Sequence, residues 1–429
     1  MSDHKEKVKP EHGMGTIVNH VGEGSHDKHS HLMPIYQTST FGFDTVDDAA
    51  DVFAGRVKGY AYTRTHNPNF DHLANKIAYM EGVDLIRASS DSSQNADPSE
   101  IVAGKVTSSG MAATSAAVLG HVGSGDKVIV QQGLYGNTHK FWYALAPRLG
   151  IEVVWVNDLT PGGFEAAINA NADAKLVFVE TPSNPRMELI DLAHLAGVAH
   201  NNDMWVMVDN TFATPFHQRP LTLGCDVVVH STTKYICGHG TTIGGAIVST
   251  HLDYMSPGGT GVGLTYKMLG VAPSPQDVWQ INVGLKTFEL RMQRHSKNAM
   301  AIAEYLQSHE KVEEVCYPGL GNDPFHQLAK KQMINGYGGM VSFTLKGSKK
   351  SGAENGIAFT NAVTVPTLAV SLGNVDTLIQ HPASMTHAAI PKEEREAAGI
   401  TDSIIRLSVG VENVEDLIAD LENAFKVVE

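Results

Sequence analysis

Five short, unbroken apolar runs recur through the middle of the chain: Lys127-Val-Ile-Val130, Val153-Val-Trp-Val156, Leu176-Val-Phe-Val179, Trp205-Val-Met-Val208 and Val227-Val-Val229. Each has strand length and none alternates apolar with polar, so each predicts a strand buried on both faces. Ala-rich segments of helical pattern separate them. Strand and helix in alternation predict an α/β architecture with a mostly parallel sheet. Sheets of that kind collect ligands at their strand ends.

The length of 429 residues allows one large and one smaller domain. A net charge of −14 argues against nucleic acid or an anionic membrane as partner. Three cysteines (Cys225, Cys237 and Cys316) lack metal-type spacing and cannot all pair, which predicts a reducing compartment. No apolar run approaches membrane-span length, and the N-terminus has no signal-peptide core. The expected location is the cytoplasm, with no metal and no membrane partner. The first thirty or so residues are polar and His-rich (His20, His26, His29, His31) and read as a flexible or expression-related arm.

A domain boundary is expected near Pro273-Ser-Pro275. Ser274 can N-cap there, and Pro275 can start a long helix running to about His309. Beyond it Gly339-Met-Val-Ser-Phe-Thr-Leu345 alternates like a half-buried strand. A terminal helix opens at Asn413 with Asp416 placed for a capping box, burying Val414, Leu417, Ile418, Leu421 and Phe425. Ala88 to Glu100, rich in Ser, Asp and Asn, reads as a surface loop.

Chemistry-bearing residues follow the strands. Ser108-Ser-Gly-Met-Ala-Ala113 opens a helix whose first amides, at Gly110 and Met111, can bind a phosphate. Tyr135-Gly-Asn-Thr138 offers an aromatic to stack on a flat ring. Glu180-Thr-Pro-Ser-Asn-Pro185 presents Asn184 from a rigid loop, and Asp209 leaves a buried strand in need of a partner. Ser231-Thr-Thr-Lys-Tyr235 puts an amine among hydroxyls after the last run. Singly, these read as a helix cap, ordinary packing, a turn, an N-cap and a solvated strand end. Together and in order they match the needs of pyridoxal phosphate: an anion site, a ring stacker, partners for the ring oxygen and nitrogen, and a lysine for the aldehyde. A dinucleotide site is disfavoured, because no G-x-G-x-x-G follows an early strand.

These residues closely resemble the Cys/Met-metabolism (trans-sulfuration, γ-family) pyridoxal phosphate enzymes from about Pro34-Ile-Tyr-Gln-Thr38 to the terminal helix. The resemblance implies the fold-type I architecture: a large domain with a mostly parallel seven-stranded sheet and a smaller α+β C-terminal domain. The implied parts are an N-terminal arm (1–60) serving a neighbouring subunit, a cofactor domain (61–272) and a small domain (273–429). It implies that Lys234 binds the cofactor and moves protons, that Asp209 pairs with the ring nitrogen, and that Asn184 bonds the ring oxygen. Tyr135 would stack on the ring and act as acid or base. Gly110, Met111, Ser231 and Thr233 would hold the phosphate, joined by Tyr62 and Arg64 of Tyr62-Thr-Arg-Thr-His-Asn-Pro68 from a neighbouring subunit. Arg406 would take the substrate carboxylate, with Ser371 bordering the same pocket. A homotetramer, as a dimer of dimers with shared sites, is implied as well.

Within the family, Val370-Ser-Leu-Gly373 continuing to Gln380-His-Pro-Ala-Ser-Met-Thr-His387 resembles the enzymes that eliminate the thiol from L-methionine. Cystathionine-handling members commonly carry Glu where Val370 stands, and valine suits an apolar thioether tail. Asn137 departs from the cysteine usual in bacterial methionine-cleaving members. A polar amide there, with Gly240-Thr-Thr-Ile-Gly-Gly245, leaves open an O-acetyl- or O-succinyl-L-homoserine sulfhydrylase. Cystathionine γ-lyase or γ-synthase is the third reading. A catalytically silent relative acting as a binding protein is the reading from a different class.

Overall fold

All five apolar runs fold as strands. In chain order the first seven strands are β1 (Ala103–Thr107), β2 (Lys127–Gln131), β3 (Glu152–Val156), β4 (Leu176–Glu180), β5 (Trp205–Asp209), β6 (Val227–His230) and β7 (Gly245–Ser249). They belong to one seven-stranded sheet. A second sheet takes β8 (Val312–Cys316), β9 (Met340–Leu345), β10 (Thr367–Leu368), β11 (Leu378–Gln380) and β12 (Ile404–Ser408). The computed structural model describes residues 8–24, 26–91, 97–347, 351–386, 388, 392–397 and 399–429. His387 and part of the expected 88–100 loop lie outside them. The chain divides into two compact units. One takes the residues up to Val122 with Asp226–Cys237 and Thr241–Thr287, and the other takes Gly123–Cys225, Gly238–Gly240 and Phe288–Glu429.

In the first unit the strands run β1-β7-β6, with β7 antiparallel to both neighbours. The helix Pro68–Asp91 lies close against β1. An added Cβ at Gly104 would come within 2.5 Å of the Ala74 carbonyl oxygen, so only glycine permits this approach. The same helix corrects the loop expected from Ala88, because its last turn continues through Asp91.

The N-terminal segment differs from the expected flexible arm at the helix Met14–His20 and around Glu23. The helix Met14–His20 buries Met14, Ile17 and Val18. After it, the Glu23 carboxylate gathers Lys76 Nζ and Lys286 Nζ at 3.1 Å each and His26 Nε2 at 2.9 Å. Lys76 is wholly buried and also donates to Asn282 Oδ1 at 2.8 Å. These partners are 53 and 263 residues from Glu23, so no local pattern announces them.

The single helix expected from Pro275 is two, Pro275–Leu285 and Phe288–Ser308. Lys286 and Thr287 donate their amides to Val283 and Gly284, and the Thr287 hydroxyl donates to the Gly284 carbonyl at 3.1 Å. That tight turn ends the first helix, while the Glu23 contact fixes the Lys286 side chain. Pro275 does open the helix, but Ser274 makes no side-chain cap bond.

In the second unit β5-β4-β2-β3 are all parallel, as predicted. Every residue of β4 is buried. Leu192, Leu195, Ala196 and Ala199 of the helix Leu192–His200 pack with Phe164 and Ile168 against Val177, Val179, Val206 and Val208. The smaller sheet has the order β10-β11-β12-β9-β8, antiparallel except for the β10–β11 pair. The terminal helix Val414–Phe425 buries Leu417, Leu421 and Phe425 beside Phe343 and Phe359, while Val414 and Ile418 are only partly buried. Each full burial of such a side chain stabilises by about 1.5–3 kcal/mol. Asn413 occupies the cap position without a side-chain bond, so the expected capping box is absent. Strand β9 is covered on both faces instead of one, because Ser342, on the face away from that core, donates to the Pro185 carbonyl at 2.6 Å.

Candidate active site

In the first unit, the turn that carries Lys234 follows β6 and the helix that starts at Gly110 follows β1. β6 ends at His230, and the chain turns at once, with the Lys234 amide donating to the Ser231 carbonyl at 3.2 Å. After β1, Ser109 caps the helix Gly110–Leu119 by accepting from the Ala112 amide at 3.1 Å. An α-helix leaves the amides of its first turn without acceptors four residues back, and those amides carry the positive end of its dipole. A Cβ on Gly110 would lie 2.7 Å from Ser231 Cβ, so the helix start meets the residue after β6 this closely only because position 110 is glycine. The first-turn donors suit a phosphate, and the residues present therefore fit that end of the cofactor.

The predicted phosphate residues are not all placed alike. Gly110 and Ser231 are brought together, with Met111 next in the same first turn. The Thr233 hydroxyl instead binds the Gly244 backbone, donating to its carbonyl at 3.2 Å and accepting from its amide at 3.1 Å. Arg64 donates to the Lys267 carbonyl at 2.6 Å and lies 5.6 Å from the Tyr62 ring centroid, a cation–π distance. The Tyr62 ring is nearly half exposed. Just before Ser231, His230 Nε2 meets Glu81 Oε1 at 2.5 Å in a fully buried pair that ties β6 to the helix Pro68–Asp91.

The second unit holds two side-chain groups. Asp209, at the end of β5, stands in register with Glu180 at the end of β4. Asp209 Oδ1 accepts from the Thr211 amide at 3.0 Å and its hydroxyl at 2.5 Å. Glu180 Oε2 accepts from the Tyr135 amide at 2.9 Å, and the Glu180 amide donates to Gln131 Oε1 at 2.9 Å. Burial and the Asp209 charge push the Glu180 carboxyl well above the ordinary carboxylate range, against the Tyr135 and Asn184 amides and the Arg406 charge. Tyr135 is 44% exposed and its hydroxyl accepts from Asn137 Nδ2 at 2.9 Å.

The other group centres on Arg406 of β12. Its Nη1 donates to Asn184 Oδ1 at 2.9 Å and its Nη2 to the Ser371 carbonyl at 2.8 Å. Ser371 is held at φ +96°, a left-handed conformation that costs a non-glycine residue energy and that persists mostly at functional sites. Val370 beside it is 57% exposed. Sequence reading expected Asn184 to face a ring oxygen and Arg406 a carboxylate, and here the two also bond each other. It missed Gln380, the register partner of Arg406 on β11. With its amide oxygen turned to the guanidinium, Gln380 accepts at 3.1 Å from Nε. The quoted Gln380-His-Pro segment carried that signal, but a cross-strand neighbour is invisible without the register.

Among the described residues no three His, Cys, Asp or Glu side chains gather as for a metal ion, and no helix is long and apolar enough to cross a membrane. The chain belongs to the Cys/Met metabolism PLP-dependent enzymes, whose family model matches residues 15–426. It is 44% identical over 418 residues to an L-methionine gamma-lyase of Fusobacterium nucleatum subsp. polymorphum, across 97% of this chain and 99% of that one. It is likewise 44% identical to an L-methionine gamma-lyase of Porphyromonas gingivalis over 91% of each. A solved cystathionine gamma synthase from Xanthomonas oryzae pv. oryzae, in complex with cystathionine, is similar with a TM-score of 0.84 and 35% identity, over 97% of this chain and 98% of that one.

Proposed function

We propose that this chain is a PLP-dependent carbon–sulfur lyase that eliminates methanethiol from L-methionine, leaving 2-oxobutanoate and ammonia with uptake of water. The observation that carries this reading is Val370. It is exposed, it cannot hydrogen-bond through its side chain, and its neighbour Ser371 binds Arg406. A carboxylate taken by Arg406 would set the rest of the substrate beside an apolar surface suited to a thioether. The likeness to two L-methionine gamma-lyases supports the same substrate.

In this reading Lys234 holds the cofactor, and its amine takes the proton from the substrate Cα. Gly110, Met111 and Ser231 bind the phosphate, with Thr233 shaping the loop through Gly244. Asp209 faces the ring nitrogen and Asn184 the ring oxygen. Bound PLP supplies the electron sink that makes loss of the Cα proton feasible. Tyr135 accepts a hydrogen bond from Asn137, so its phenolic proton is available to the departing sulfur. Arg406 orients the α-carboxylate through its planar fork, which Ser371 and Asn184 hold in place.

Tyr62 and Arg64 are assigned to the phosphate of a neighbouring subunit, to which the part of the 1–60 arm beyond the Glu23 cluster would also contribute. This reading carries with it a homotetramer and a cytoplasmic location. A second reading, γ-replacement or cleavage of cystathionine, is favoured by the polar Asn137 and by the likeness to cystathionine gamma synthase. Presenting L-methionine, cystathionine, and O-acetyl-L-homoserine with sulfide to the purified protein tests the choice. The highest kcat/KM should belong to methionine; a higher value for either competitor would transfer the assignment to it.

A further inference from the structure

One buried acid in the second unit has no role in the scheme above. Glu180 is 4% exposed at the end of β4. Its Oε2 accepts from the Tyr135 amide, while its Oε1 is buried with no hydrogen-bond partner among the described residues. A bare carboxylate oxygen shut away from water is costly. Asp209, assigned to the ring nitrogen, is its in-register neighbour on the adjacent parallel strand, so the two side chains leave the same face. Arg406 is the cation that acts on it, and the backbone amides of Tyr135 and Asn184 are the dipoles.

We infer that Glu180 carries a proton at Oε1 beside an ionised Asp209, and that it is a positioning residue which seats Tyr135 through the backbone. Two ionised carboxylates at neighbouring strand ends repel, and a single proton removes that repulsion. The proton also removes the charge from a buried oxygen that has no donor facing it among the described residues. One negative charge is then left, on the residue assigned to the ring nitrogen. Glu180 Oε2 meanwhile anchors the N-cap residue of the short helix Gly136–Lys140, and so fixes where the Tyr135 ring starts. The inference rests on the proposed role of Asp209, yet its decisive reading needs neither substrate nor turnover.

The test is an infrared difference spectrum of Glu180→Gln against the native protein near neutral pH, read together with PLP dissociation constants. The native protein should show the carbonyl stretch of a protonated carboxyl that Glu180→Gln lacks. Its absence from the difference spectrum would overturn the inference. Glutamine can accept from the Tyr135 amide and donate from its own NH2, so Glu180→Gln should bind PLP within about threefold of native, whereas Glu180→Ala should bind about tenfold more weakly. Equal weakening in both variants would mean the charge is required, and equal retention would mean nothing is positioned; either result refutes the proposal. Should Glu180→Ala fail to fold, the infrared band and the glutamine variant still decide.

Discussion

Arg406 donates from Nη1 to the side-chain oxygen of Asn184 at 2.9 Å, joining β12 to the loop that follows β4. The same guanidinium reaches the Ser371 carbonyl through Nη2. Both acceptors are neutral, so they orient the fork without cancelling its charge. A fork so held is ready for a carboxylate.

Replacing Arg406 by Lys should therefore hurt substrate binding more than chemistry. An ammonium keeps the charge but cannot hold Asn184, Ser371 and a carboxylate in one plane. The expected result is a KM for L-methionine raised by about tenfold or more, with kcat reduced less. Steady-state kinetics with methionine check it; a fall confined to kcat would count against the assignment.

Gly110 tests the anion site. In Gly110→Ala the new Cβ would stand 2.7 Å from Ser231 Cβ, closer than side-chain carbons approach. The helix start and the strand end must separate, and the PLP dissociation constant should rise by about tenfold or more if one charge-assisted bond is lost. Spectral titration of the cofactor-free protein measures this, and an affinity equal to native would remove that site from the account.

Glu23 makes stability pH-dependent. Burial alone would raise its carboxyl, but hydrogen bonds from His72 and His26 and the charge of Lys76 hold it far below its ordinary 4.5. A depressed carboxylate stabilises fully above that ordinary value and loses the contribution as pH falls below it. At pH 7, Glu23→Gln leaves buried Lys76 without its counter-ion and should cost about 3 kcal/mol. Below pH 4.5 the gap between native and variant should narrow by about 1.4 kcal/mol per pH unit. Urea denaturation over that range reads it, and a gap that widened in acid would reverse the sign.

Asn137 donates to the Tyr135 hydroxyl and brings a polar side chain that argues against a purely apolar tail site. In Asn137→Ala the ratio of kcat/KM for methionine over cystathionine should shift toward methionine by about threefold to tenfold, the worth of one hydrogen bond. A shift toward cystathionine would show that the amide contributes more to methionine than to cystathionine.

Five of the seven strands were legible because an unbroken apolar run of strand length stands out in a chain; β1 and β7 were not read from their residues, and β3 is only partly buried where its run implied cover on both faces. Lys234, Gly110 and Asp209 stood out as candidates because each sits within a few residues of a strand end. What stayed hidden depended on partners far along the chain. Glu23 looked like part of a polar arm until Lys76, Lys286 and Asn282 closed around it. The break after Leu285 is written in a Thr287–Gly284 hydrogen bond that a periodic apolar pattern runs straight across. Gln380 reaches Arg406 only through the register of β11 with β12. The reverse error occurred at Asn413, where a cap motif was present in sequence and its side-chain bond did not form.

The central claim concerns which bond this chain breaks. The most direct measurement incubates the PLP-loaded protein with L-methionine alone and quantifies methanethiol and 2-oxobutanoate together. The account predicts the two products in equal amounts, at turnover, and none with Lys234→Ala. Native protein that releases neither from methionine, yet forms homocysteine from O-acetyl-L-homoserine and sulfide, would contradict it.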